Sequence, residues 1–122
     1  MATPTDPPRA ERIPDEVAVA VRVIGSEINK RILRFLLQLP DRNRGSHFGP
    51  IHQALPDFSN MSVRRHLKEL ESVGVVLVDT PEADRHGRSP RYSVDAPFLR
   101  RLYAQSEAWL FSETNDQPSV EL

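Results

Sequence analysis

The sequence has 122 residues, 39% hydrophobic and 7% aromatic, with 16 Lys and Arg against 17 Asp and Glu and a pI near 6.4. That length suits one domain with a modest aliphatic core. The absence of cysteine excludes disulfides, thiolate metal sites and thiol nucleophiles, and is compatible with a reducing cytoplasm.

The near-neutral total conceals a division. Residues 17–111 hold 14 basic against 10 acidic side chains, whereas Asp6, Glu11, Asp15, Glu16, Glu113, Asp116 and Glu121 make the two ends acidic. A basic middle between acidic ends leaves a nucleic-acid partner open despite a net charge of −1. No run of about 20 apolar residues is present, so no membrane partner is expected, and the start lacks the apolar centre of a secretory leader.

In chain order, the proline-rich, polar residues 1–13 predict a disordered arm. In the stretch "PDEVAVAVRVIG", Pro14, Asp15 and Glu16 suit a helix start, and Val17, Ala20, Val21 and Ile24 form a helical stripe. Val17, Val19, Val21 and Val23 also alternate as in a strand. A short helix is favoured and a strand stays open. Ser26 caps the next helix, "EINKRILRFLLQL", whose Ile28, Ile32, Phe35, Leu36 and Leu39 line one face before Pro40 stops it. A polar loop, "PDRNRGS", leads to a short helix, "FGPIHQAL", bracketed by Pro50 and Pro56.

The stretch "SNMSVRRHLKELESVG" opens on Ser59 as an N-cap and closes on Gly74 in the position past a helix end. Wound at 3.6 residues per turn, Val63, Leu67 and Leu70 face inward, and Met61, Arg65 and Lys68 lie opposite. Strands at "VVLVDT" and "RYSV" flank a charged turn, "PEADRHGRSP". Asp95 then caps a helix over 96–111 whose Phe98, Leu99, Leu102, Tyr103, Trp109 and Leu110 make an apolar stripe in need of a partner surface. Residues 112–122 read as a flexible acidic tail.

In order and spacing, "NKRILRFLL", "FGPIHQAL", "MSVRRHLKELESVGVV" and "GRSPRYSVD" resemble the winged helix-turn-helix of ArsR-like transcriptional regulators, over roughly residues 22–95. The resemblance implies a mainly α fold with a small β-hairpin, a domain over 14–111, and terminal helices that form a dimer interface. It also implies binding of double-stranded DNA in a prokaryotic cytoplasm, with repression favoured over activation.

Residues near the start of a recognition helix sit deepest in the major groove. Met61, Ser62 and Arg65 are therefore expected to face bases, with Arg65 set for a guanine. Ser59, Asn60, Arg64, His66 and Lys68 complete the helix's expected DNA-binding set, with His66 open between a phosphate contact and a structural role on neighbouring backbone, the structural one favoured. The wing adds Arg85, Arg88 and Arg91 around Gly87. Glu69 and Glu71 offer a competing use for Arg65 and Lys68 as helical ion pairs. Val17, Val21, Phe98, Leu102 and Trp109 are the expected seam of a symmetric homodimer.

No phosphate loop, nucleophile elbow or metal-hydrolase motif appears, so neither an enzyme nor a cofactor is expected. His47 and His52 are poorly spaced for one metal, and residues 96–111 hold no histidine, so no metal is expected either. Two rival readings remain: a winged-helix module that docks another protein, and a DNA-binding accessory factor in replication, recombination or plasmid and phage maintenance.

Overall fold

The computed structural model describes residues 12–85 and 87–112. Most of the expected N-terminal arm and acidic tail, together with His86, lies outside them. Five helices and one hairpin follow in the order α1 (Asp15–Ile24), α2 (Glu27–Leu37), α3 (Phe48–Gln53), α4 (Asn60–Ser72), β1 (Val76–Val78), β2 (Tyr92–Val94) and α5 (Ala96–Phe111).

The ambiguous valine-rich stretch is the helix α1. Val17, Ala20 and Val23 are buried and Val21 is half exposed, because α1 lays one stripe against α5 and α2. Gly25 ends α1 in right-handed rather than left-handed geometry. A Cβ there would lie 2.9 Å from the Val21 carbonyl oxygen, which explains the glycine.

Ser26 caps α2 by accepting the Asn29 amide at 3.2 Å. The α2 helix buries Ile28, Asn29, Ile32, Leu33 and Leu36, whereas Phe35 and Leu39 pack at the edge of the core. Ser59 caps α4 by accepting the Ser62 amide at 3.1 Å. The same helix closes on a Schellman turn: Val75 donates to the Leu70 carbonyl and Gly74 to that of Glu71, with Gly74 at φ 90°. Leu70 and Val75, the pair that this turn brings together, are both fully buried.

The strands pair antiparallel, Val76 with Val94 and Val78 with Tyr92. A third strand position comes from the loop expected to be irregular, since Ser46 and Tyr92 exchange backbone hydrogen bonds of 2.8 and 2.7 Å. This bridge ties the loop before α3 to the base of the wing. Gly45 makes it possible: at φ 77° it favours a residue without a Cβ, and an added Cβ would sit 2.2 Å from the Tyr92 carbonyl oxygen.

The core is one cluster drawn from every helix and both strands, centred on Ile32, Leu36, Ile51, Leu55, Val63, Leu67 and Leu70. It fixes α3 and α4 as a helix-turn-helix and sets the β1–β2 hairpin beside α4 as its wing.

Gly45→Ala is expected to lower stability by more than about 1 kcal/mol in urea unfolding. Gly87, also at positive φ but with nothing within 4 Å of an added Cβ, should accept alanine at a smaller cost. Equal losses at the two sites would show that contact with Tyr92 is not what Gly45 avoids.

Candidate nucleic-acid interface

The outward face of α4 and the wing beside it bring most of the expected DNA-binding residues onto one side of the molecule. Met61 is 75% exposed, Arg65 and Lys68 are exposed, and Ser62 is half-buried. Ser59 spends its hydroxyl on the helix cap, and the Asn60 side chain accepts from Arg64 Nε at 3.0 Å.

The carboxylates of α4 do not pair with its outward basic residues. Glu69 turns inward, where Oε1 accepts from Asn29 Nδ2 at 3.4 Å and Oε2 lies 3.6 Å from Arg22. Glu71 is held in a fork by Arg85, at 3.2 and 2.6 Å. Lys68 pairs instead with Glu82 across to the wing, at 3.0 Å. This pair is exposed at both ends, so solvent screens it strongly. Arg65 has no hydrogen bond or ion pair among the described residues.

Three expected contacts are redirected. His66 is drawn inward, its Nδ1 lying 3.0 Å from the Oδ1 of the fully buried Asn29. The Glu69 carboxylate can only accept, so it takes the Asn29 amide nitrogen. The amide oxygen then faces His66, whose Nδ1 must carry the proton. Arg85 uses all three guanidinium nitrogens inside the protein, donating to Glu71 through two and to the Thr80 carbonyl through Nε at 2.8 Å. It anchors the wing to α4 and is not free to meet phosphate. Arg91 reaches back toward the Gly45 carbonyl at 3.4 Å, while its backbone N–H donates to Asp79 at 2.9 Å. Of the wing arginines, Arg88 remains exposed and unpaired among the described residues.

The wing has further internal ties. His47 Nδ1 meets the Pro90 carbonyl at 3.1 Å. The Arg91 amide and the Thr80 hydroxyl both donate to Asp79 and hold its carboxyl below the usual range. Within the expected charged turn, Glu82–Asp84 form one turn of 3-10 helix.

The expected dimer seam separates. Val17 and Leu102 are buried within the protomer at 4% and 3% exposure, where α1 packs on α5. Phe98 lies over Gly74 within the same chain. Val21 and Trp109 retain exposed surface, and Tyr103, Leu110 and Phe111 add large exposed apolar area on α5. Periodicity marks an apolar stripe without saying which neighbour covers it. No cluster of three metal-ligating side chains occurs among the described residues, and no helix there is long and apolar enough to cross a membrane.

Two measurements test the wing's internal ties. A double-mutant cycle of Arg85→Ala with Glu71→Ala should give a coupling between about 0.5 and 3 kcal/mol, and additive losses would remove Arg85 as the anchor. Because the Asp79 carboxyl titrates lower folded than unfolded, its contribution is present above the unfolded carboxylate range and fades as pH falls through the folded value. Asp79→Asn should therefore lower stability at pH 7 and narrow its gap to wild type toward pH 2.

No protein-family model and no curated protein matches the chain. Among solved structures, the diamide-treated YodB from B. subtilis is 20% identical, with a TM-score of 0.57 over 88% of this chain and 100% of that one. The reduced form of YodB, described as a transcriptional regulator, is 24% identical, with a TM-score of 0.54 over 86% of this chain and 100% of that one. At these identities the likeness concerns the fold alone, and this chain shares the winged-helix fold.

Proposed function

We propose that the protein is a homodimeric, sequence-specific binder of double-stranded DNA that acts as a transcriptional regulator, of ArsR-like kind and repressing by promoter occlusion. The observation that carries this reading is the sorting of charge on α4. Glu69 and Glu71 are committed to Asn29, Arg22 and Arg85, and Arg65 on α4 and Arg88 on the wing are left exposed and unpaired among the described residues. A guanidinium on the outward face of a second helix suits a bidentate contact with guanine. Met61 and Ser62 flank it toward the helix start, and Lys68 meets phosphate once it leaves its screened pair with Glu82. The YodB likeness supports the regulator reading through the fold. The sequence holds no cysteine, so a thiol switch of its activity is excluded.

A second copy is the partner that the exposed apolar residues of the terminal helices suit, through Val21, Tyr103, Leu110 and Phe111. It would present two α4 helices to an inverted repeat. A protein-docking module is the second reading, favoured by that same exposed end of α5.

Selection from random duplex DNA tests both. An inverted repeat should be enriched, and Arg65→Ala should lose about 1 to 3 kcal/mol of discrimination at one base pair per half-site. Leu110→Asp with Phe111→Asp should convert a dimer to a monomer in sedimentation and shrink the selected site to one half. Absence of any enriched motif, with wild type and Arg65→Ala binding alike, would favour the docking module.

A further inference from the structure

Tyr92 is the feature that neither the core nor the reading face accounts for. It is 8% exposed, and its hydroxyl has no hydrogen-bonding partner among the described residues. A hydroxyl on a buried ring that no protein group satisfies is costly unless something outside the chain meets it. A phenylalanine would fill the same core position without that cost, so the hydroxyl calls for an external partner.

Tyr92 lines two clefts. One, beneath the wing, holds Glu71 and Glu82 together with Arg64, Lys68 and Arg85, and both of its carboxylates are already paired with cations. The other opens between α3, α4 and the wing, with a volume of about 360 Å³, and is lined by His47, Phe48, Arg64, Arg88 and Tyr92 among others. It holds two arginines and no carboxylate, which selects an anion.

Arg64 is held in place there before any ligand arrives. Its guanidinium lies 3.9 Å from the Phe48 ring centroid and its Nε donates to Asn60, so both terminal nitrogens remain available. Burial raises the Tyr92 pKa, keeping the phenol protonated and a donor at neutral pH.

We propose that this cleft seats one phosphodiester of the DNA backbone, with the Tyr92 hydroxyl and the Arg64 guanidinium as fixed donors and Arg88 closing over it from the wing. The inference rests on the DNA-binding reading above and assigns one backbone contact within it. The seat fixes the register of α4 in the groove without reading sequence, as phosphate contacts do.

Tyr92→Phe is the decisive variant, because a structural role and a ligand role move it in opposite directions. Its thermal midpoint should match or exceed that of wild type, whereas its affinity for random duplex DNA, followed by fluorescence anisotropy across KCl, should fall about three- to tenfold. The slope of log affinity on log salt should not change, since no charge is lost. Arg64→Gln should reduce that slope by about one.

Unchanged duplex affinity in Tyr92→Phe, with wild type binding normally, overturns the proposal and leaves the DNA reading standing. If wild type binds no duplex, the DNA reading itself falls. Inorganic phosphate titrated into ¹⁵N-labelled protein then decides whether the cleft is an anion seat. Saturable shifts at Arg64 Nε that are lost in Tyr92→Phe sustain the seat, and no shift overturns it. Saturable phosphate binding beside unchanged duplex affinity in Tyr92→Phe would assign the cleft to a free phosphorylated molecule and overturn the backbone assignment.

Discussion

A fully buried amide sets the orientation of α4. Asn29 has no access to water, so both ends of its side chain must find partners inside the protein, and it finds them on α4 in His66 and Glu69. Arg22 of α1 lies beside the same carboxylate, so three helices meet at one polar cluster at the edge of the core. Hydrophobic packing of Val63, Leu67 and Leu70 would tolerate some rolling of α4. Directional hydrogen bonds to Asn29 tolerate much less, and they turn a negative charge away from the outward face.

The wing is fixed by the same kind of device at its other end. Arg85 forks onto Glu71, His47 meets Pro90, and the Ser46 bridge clasps Tyr92. Each contact spends a polar group that composition alone would have offered to a nucleic acid. What remains outward is a smaller but more basic set than the sequence advertises, with Arg65 and Arg88 unpaired among the described residues and Arg64 stacked on Phe48. A net charge of −1 is therefore no obstacle to a locally basic surface, because Glu69 and Glu71, the carboxylates of α4, are already held by other groups.

At the opposite side, α1 and α5 close the core of one protomer and still leave apolar surface. Val17 and Leu102 belong to the first task and Val21, Leu110 and Phe111 to the second. One helix stripe can serve a core and an interface together, since a helix has more circumference than a single neighbour covers.

The elements themselves were legible from local chemistry. Ser26, Ser59 and Asp95 as caps, Gly74 as the left-handed stop, and the apolar face of α4 are governed by neighbours within one helical turn. Local rules also placed Met61, Arg65 and Lys68 on the outward face. They favoured a helix for α1 and left a strand open, since its valines fit both periods and it is packing on α5 that selects the helical stripe. Nor could they say that His66 and Arg85 turn inward, that Ser46 joins the sheet, or that the Tyr92 hydroxyl is left without a partner among the described residues. Those outcomes depend on groups far apart in the chain: 37 residues separate His66 from Asn29, 14 separate Arg85 from Glu71, and 46 separate Arg91 from Gly45. Residue type and spacing decide which way a side chain points from its own helix, whereas the group that it meets there is decided by how the helices pack.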